Sequence, residues 1–219
     1  MAIQLNHLYA STWQHGQHTK QFLFTSTKTR PLQIRAVMPS NAKLLIQSGV
    51  VRPISPKEAV PAMKSEGFVL LDIRPEWERE KARVSGSLHV PLFVEDKDYS
   101  PITLLKKWVH FGYIGLWTGQ NFTMFNPDFV QQVEQAVPDK DTKLLVACGE
   151  GLRSIMATSK LHEGGYKNLG WLAGGFNRAA EDDFPGVEGK EKLQYATIGG
   201  VSYYFLQLLL LLQGVGKSN

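Results

Sequence analysis

Apolar residues in this chain come as short unbroken runs set between polar stretches marked by glycine and proline. Phe68-Val69-Leu70-Leu71-Asp72-Ile73 is one such run, ended by charge, and Leu144-Leu145-Val146-Ala147 is another. Continuous runs of this length predict parallel strands buried on both faces. Leu88-His89-Val90-Pro91-Leu92 follows a turn at Ser85-Gly86-Ser87, and Asn168-Leu169-Gly170-Trp171-Leu172 ends at Gly174-Gly175; each predicts a further strand. Between the runs the spacing turns helical. Phe129, Val133 and Val137 recur every four residues behind Asn126-Pro127, Ala157 and Leu161 do so behind Arg153, and Gly164-Gly165 marks a helix stop. Ser55-Pro56-Lys57-Glu58 joins a capping box to a proline at the first helical position. Strands alternating with helices predict an α/β domain, a parallel sheet covered on both faces, with the folded body starting near Val50.

Three stretches stand outside this alternation. Residues 92–125 are too long for a simple connection and carry Trp108, Phe111, Tyr113, Trp117, Phe122 and Phe125. The expectation is that these rings pack onto the domain; a lid, a partner surface or a membrane-contacting face is the other reading. Residues 193–213 are nearly all apolar and uncharged, flanked by Lys192 and Lys217, which predicts a membrane span or anchor, with a buried or interfacial helix as the competing reading. The N-terminus has no acidic residue before Glu58 and ten Ser or Thr. An acid-poor, hydroxyl-rich, basic leader predicts an organellar transit peptide over 1–36, cleaved near Val37 after Ile34-Arg35-Ala36 and addressed to the chloroplast.

Charge removes one class of function. The whole formal charge of +4 matches Lys20, Lys28, Arg30 and Arg35 in the leader, so the body is neutral and no nucleic-acid partner is expected. One cysteine excludes an internal disulfide, and His89, His110 and His162 show no ligand spacing, so no metal site is expected.

The candidate chemistry sits after the run 144–147. That run ends at Cys148, and Gly149-Glu150-Gly151-Leu152-Arg153-Ser154 leads into a helix. Strand, tight loop and helix N-terminus converge unpaired N–H groups on one point, which predicts a lowered thiol pKa and a nucleophilic thiolate. Gly149 and Gly151 let the loop curl round the sulfur, and Arg153 is placed to meet an anion. From the loop alone, a buried cysteine beside an ordinary turn is an equal reading.

Four ordered motifs decide between the two. Cys148-x-x-Gly151-x-Arg153-Ser154, Leu71-Asp72-Ile73-Arg74-Pro75-x-x-Glu78, Gly86-x-x-x-x-Pro91, and Gly164-Gly165-Tyr166-x-Asn168 with Leu172-x-Gly174-Gly175 resemble the rhodanese-like sulfurtransferase family over residues 50–185. The leader, the aromatic segment and the hydrophobic tail resemble its plant plastid branch. The resemblance implies a parallel five-stranded sheet with helices on both faces, plus a C-terminal hydrophobic helix. It implies that Cys148 is the catalytic nucleophile and carries sulfur as a covalent persulfide without a cofactor, taking it from a donor and passing it to a thiophilic acceptor. Gly149, Glu150, Gly151, Leu152, Arg153 and Ser154 would form the substrate-binding loop, with Asp72 and Arg74 as supports. Six residues from Cys148 to Arg153 is the sulfur-handling length; phosphatases of the fold have one more. Gly149 and Glu150 stand where thiosulfate-handling enzymes carry basic residues, and Arg83 where the family often has histidine. Glu150 near the sulfur would repel a dianion, so weak thiosulfate turnover is expected. The alternative is a non-catalytic scaffold of the same fold at a plastid membrane, the thylakoid or another; redox sensing through Cys148 would need an outside thiol.

Overall fold

The computed structural model describes residues 40–215; the leader 1–36 lies outside the described residues. Helix α1 (Ser40–Gln47) is followed by β1 (Val51–Ile54), α2 (Pro56–Glu66), β2 (Val69–Asp72), α3 (Glu76–Lys81), β3 (Ala82–Val84), β4 (Leu88–His89) and β5 (Phe93–Glu95). The chain then enters an arm: α4 (Pro101–His110), a π-helical stretch (Phe111–Gly115) and the single turn α5 (Leu116–Thr118). After it come β6 (Thr123–Phe125), α6 (Phe129–Ala136), β7 (Leu144–Ala147), α7 (Leu152–Glu163), β8 (Leu169–Leu172), β9 (Val187–Gly189) and α8 (Gly200–Val215).

The main sheet has five parallel strands in the order β1-β8-β7-β2-β4, with β7 at its centre. Strand side chains alternate between faces, so an unbroken apolar run feeds two cores. Leu144 and Val146 join Leu71 under α6 and α7, packing on Phe129, Val133, Ile155 and Leu161. Leu145 and Ala147 point the other way with Leu70, onto Ala59 and Ala62 of α2 and onto Phe176 and Phe184. Two antiparallel pairs, β3 with β9 and β5 with β6, flank the sheet. At the start of α2 the Glu58 carboxylate accepts from the Ser55 N–H at 3.0 Å and from its hydroxyl at 2.6 Å.

The body is longer than the apolar pattern indicates. Leu45 and Ile46 of α1 pack against the first core, so it includes residues before Val50. At the other end β9 pairs with β3, and Leu193 and Ala196 lie in the second core.

The hydrophobic tail is corrected more sharply. Leu193–Tyr195 is a 3-10 turn belonging to the domain, and the helix begins only at Gly200. Lys81 Nζ donates to Ile198 O at 2.8 Å, tying down the chain just before it. Gly200 then has φ +57° and crosses the end of α5 so closely that a Cβ would stand 2.3 Å from Leu116 O. The 16 residues of α8 span about 24 Å at the usual helical rise, short of the roughly 30 Å hydrocarbon core. Among the described residues no helix is long and apolar enough to cross a membrane.

The aromatic segment also differs from expectation. Phe125 meets Phe93 edge-on at 6.1 Å and Phe122 meets His110 at 5.5 Å, but Trp108, Phe111, Tyr113 and Trp117 are exposed.

Candidate active site

Cys148 follows the last residue of the central strand, and its side chain is fully buried. The loop after it turns at Gly151 (φ +90°), which brings two backbone donors to the sulfur: the Gly151 N–H at 3.1 Å and the Ser154 N–H at 3.3 Å. Ser154 Oγ lies 3.3 Å from Sγ and 3.0 Å from Gly151 O. A hydroxyl has one proton and two lone pairs. Ser154 therefore accepts from the thiol while donating to Gly151 O, and can turn its proton to the sulfur once the sulfur is an anion.

The loop is clamped from outside. Trp171 Nε1 donates to Gly151 O at 2.8 Å, and the N–H groups of Phe176 and Asn177 donate to Cys148 O and Gly149 O at 2.9 and 2.8 Å. Gly175 is what allows this approach. With φ +65°, any Cβ there would stand 2.2 Å from Gly149 O and 2.4 Å from Cys148 O. Gly149 is covered by Thr197, whose methyl would be 2.2 Å from an added Cβ.

Arg153 is placed differently from the free anion-binding group that its position in the sequence indicates. Its Nη1 and Nη2 donate to Glu78 Oε1 and Oε2 at 2.9 and 2.6 Å, a bidentate pair with a carboxylate that is almost wholly buried. Burial alone would lower the Arg153 pKa; the bond to Glu78, its charge and then Cys148 outweigh that and raise it above the ordinary value. Arg153 thus fastens the loop to α3, with its charge largely matched.

Asp72 and Arg74 lie one layer below. Both are fully buried and joined through Arg74 Nε to Asp72 Oδ1 at 2.9 Å and Nη2 to Oδ2 at 2.6 Å. Arg74 Nη2 also donates to Ala82 O, and the guanidinium covers the Phe176 ring at 4.6 Å. Neither residue borders the cleft. Arg74 acts on Cys148 through Phe176, whose N–H holds the Cys148 carbonyl, and Asp72 lies beside Ala147 in the sheet register.

Above the sulfur is a cleft of about 820 Å³ with Cys148, Glu150, Leu152 and Arg153 at its base. Glu150 is exposed in it, the one loop carboxylate. Beside Glu78, its walls come from places the motifs do not name: Trp77 of α3, Gln120 and Asn121 after the arm, and Phe205, Leu206 and Leu209 of α8. Glu78 was visible as the last residue of the Asp72-x-Arg74 motif, but without a partner. The wall formed by α8 had no local signal, because it arrives from the far end of the chain.

These features define a class: a doubly covered parallel sheet whose central strand delivers one buried cysteine into a backbone N–H cradle at a helix N-terminus. The chain belongs to the rhodanese-like domain family, whose model matches residues 55–182. Rhodanese-like domain-containing protein 10 of Arabidopsis thaliana is 56% identical over 216 residues, covering 99% of this chain and 97% of its own. Rhodanese-like domain-containing protein 11, chloroplastic, from the same plant is 41% identical over 73% of this chain and 54% of its own length. Rhodanese-like domain-containing protein 9, chloroplastic, is 34% identical over 68% and 62%.

Proposed function

We propose that this protein is a sulfurtransferase that carries sulfur as a persulfide on Cys148. The observation that supports it best is the cradle itself: two N–H groups and a hydroxyl converge on a sulfur at the base of a cleft. In the first step the Cys148 thiolate attacks the outer sulfur of a donor R–S–S⁻. Its lone pair makes the new S–S bond, the donor's S–S bond breaks, and RS⁻ leaves with that electron pair. In the second step an acceptor thiolate attacks the outer sulfur of the Cys148 persulfide, and the Cys148 thiolate is the leaving group. Neither step needs an external oxidant or reductant. The loop amides receive negative charge in both.

The cleft favours an organic persulfide over thiosulfate as donor. Arg153 is matched by Glu78, so the unmatched loop charge facing the cleft is Glu150, which opposes a dianion. The apolar side chains of α8 offer contact to an organic group.

The test is sulfur loading of the full chain, followed by mass spectrometry, with cysteine-derived persulfide and with thiosulfate offered separately. The expected result is one added sulfur, faster from the persulfide, and none in Cys148→Ser. A folded native chain that loads from neither donor rejects the reading. It would leave the second one, a docking module on the same fold, which the exposed apolar arm favours.

We place this activity in the plastid, on the acid-poor leader and on the chloroplastic relatives at 41% and 34% identity. Import into isolated chloroplasts, with cleavage near Val37, is the expected outcome; exclusion from them would overturn it.

A further inference from the structure

The arm α4–α5 is amphipathic with its polarity reversed. Its polar stripe faces the protein. Thr103 is buried, Lys107 Nζ donates to the carbonyls of Asp96 and Asp98, and His110 Nε2 meets Gln120 O at 3.1 Å. The opposite side carries Ile102, Leu105, Trp108 and Tyr113, which are 70, 61, 73 and 83% exposed. A helix on a water-facing surface sets these stripes the other way round. Helix α8 adjoins the arm. It packs on α5, crossing where Gly119 and Gly200 leave no room for a Cβ, and it leaves Tyr204, Leu208, Leu211 and Leu212 exposed. Large exposed apolar side chains concentrated on two adjoining elements mark an interaction site.

Three properties of this face select its occupant. Lys107 and His110 turn toward the protein, so within residues 101–118 the charge on the outer side is the exposed Lys106, with no carboxylate in the arm and no charged side chain in residues 200–215. A lone positive charge beside an uncharged apolar face complements an anionic surface. The exposed rings include Trp108, Tyr113, Trp117 and Tyr204, amphipathic side chains suited to the headgroup level of a bilayer. Neither helix is long enough to cross one, so contact would be in plane, with apolar side chains entering the acyl boundary.

We propose that the α4–α5 arm and α8 together form an in-plane membrane-binding face that docks on the surface of an anionic lipid bilayer. It is not a span, and it does not depend on the sulfur-carrier reading. Because α8 also walls the cleft above Cys148, docking would set the cleft mouth beside the membrane surface.

The test is flotation of the full chain with vesicles of phosphatidylcholine alone or mixed with phosphatidylglycerol. The native chain should float with the mixed vesicles and less with the neutral ones. L105D/W108D should cut the bound fraction about tenfold with an unchanged melting temperature, since both side chains already face solvent. Lys106→Glu, which leaves the apolar face whole, should weaken binding to mixed vesicles only. The basic leader is present in all three chains, so its contribution cancels. Absence of native binding, or L105D/W108D binding like the native chain, would overturn the proposal. So would a native dimer in light scattering that ignores vesicles and becomes monomeric in L105D/W108D, because the face would then belong to a second copy.

Discussion

Arg153 and Glu78 illustrate how one pairing changes the meaning of a motif residue. Read along the chain, Arg153 is a cation beside a nucleophile. In space its fork closes on a carboxylate 75 residues away, and the loop is thereby fixed to α3. Glu78→Gln should break the ion pair and leave Arg153 without a charge partner. Fully buried pairs broken in this way cost about 3–5 kcal/mol. The Arg153 side chain is 26% exposed, so solvent screening brings the expectation down to about 2 kcal/mol. A lowered denaturation midpoint with an unchanged slope is the expected observation. Glu150 carries the opposite lesson, an unpaired charge in the cleft. Glu150→Gln should speed thiosulfate loading about two- to fivefold at low ionic strength, and the gain should shrink as salt is added. Stopped-flow loading at two salt concentrations measures both.

Among the elements, the loop clamp and the arm make different demands on their first residues. The clamp behind Cys148 depends on a backbone passing within contact of two carbonyls. Gly175→Ala adds a methyl with no space and a disfavoured φ together, and a loss of about 2 kcal/mol or more is expected by urea unfolding. The arm depends on a cap. Asp98 accepts from the Thr103 hydroxyl at 2.6 Å, the Ser100 N–H and the Ser100 hydroxyl, which pull its pKa down from 3.8 to about 2. The folded value lies below the unfolded one. The cap's stabilisation is therefore complete above pH 3.8 and lost as pH falls through about 2. A carboxyl NMR titration should find Asp98 still ionised at pH 3, and Asp98→Asn should loosen the start of α4 in hydrogen exchange.

At the scale of the whole molecule, what the sequence shows clearly is what is local. The runs at Leu70 and Leu145 reveal buried strands because both faces of the sheet are covered, and Ser55 to Glu58 reveals a helix start because its cap is made within four residues. Cys148, Gly151 and Ser154 lie close enough in the chain for the cradle to be legible as a pattern. The walls of the cleft were not, since they join residues near 77, 120 and 205 that meet only through tertiary packing. The tail misled for a related reason. An apolar count registers residues 193–199 as part of one segment, whereas packing of Leu193 and Ala196 and the Gly119–Gly200 crossing divide it. Since none of the described side chains of α8 belongs to either core, a chain ending at Gly199 should keep a cooperative melt. Its cleft, having lost Phe205, Leu206 and Leu209, should admit iodoacetamide to Cys148 severalfold faster, as read by mass spectrometry.

Cys148 is the single cysteine of the chain and its sulfur is buried. On the sulfur-carrier reading, no neighbouring thiol can resolve a loaded chain into a disulfide and release the cargo. The molecule would then hold at most one sulfur atom, and would keep it until an acceptor arrives from outside. Its capacity would equal its copy number, and the lifetime of the stored atom would be set by the supply of acceptor.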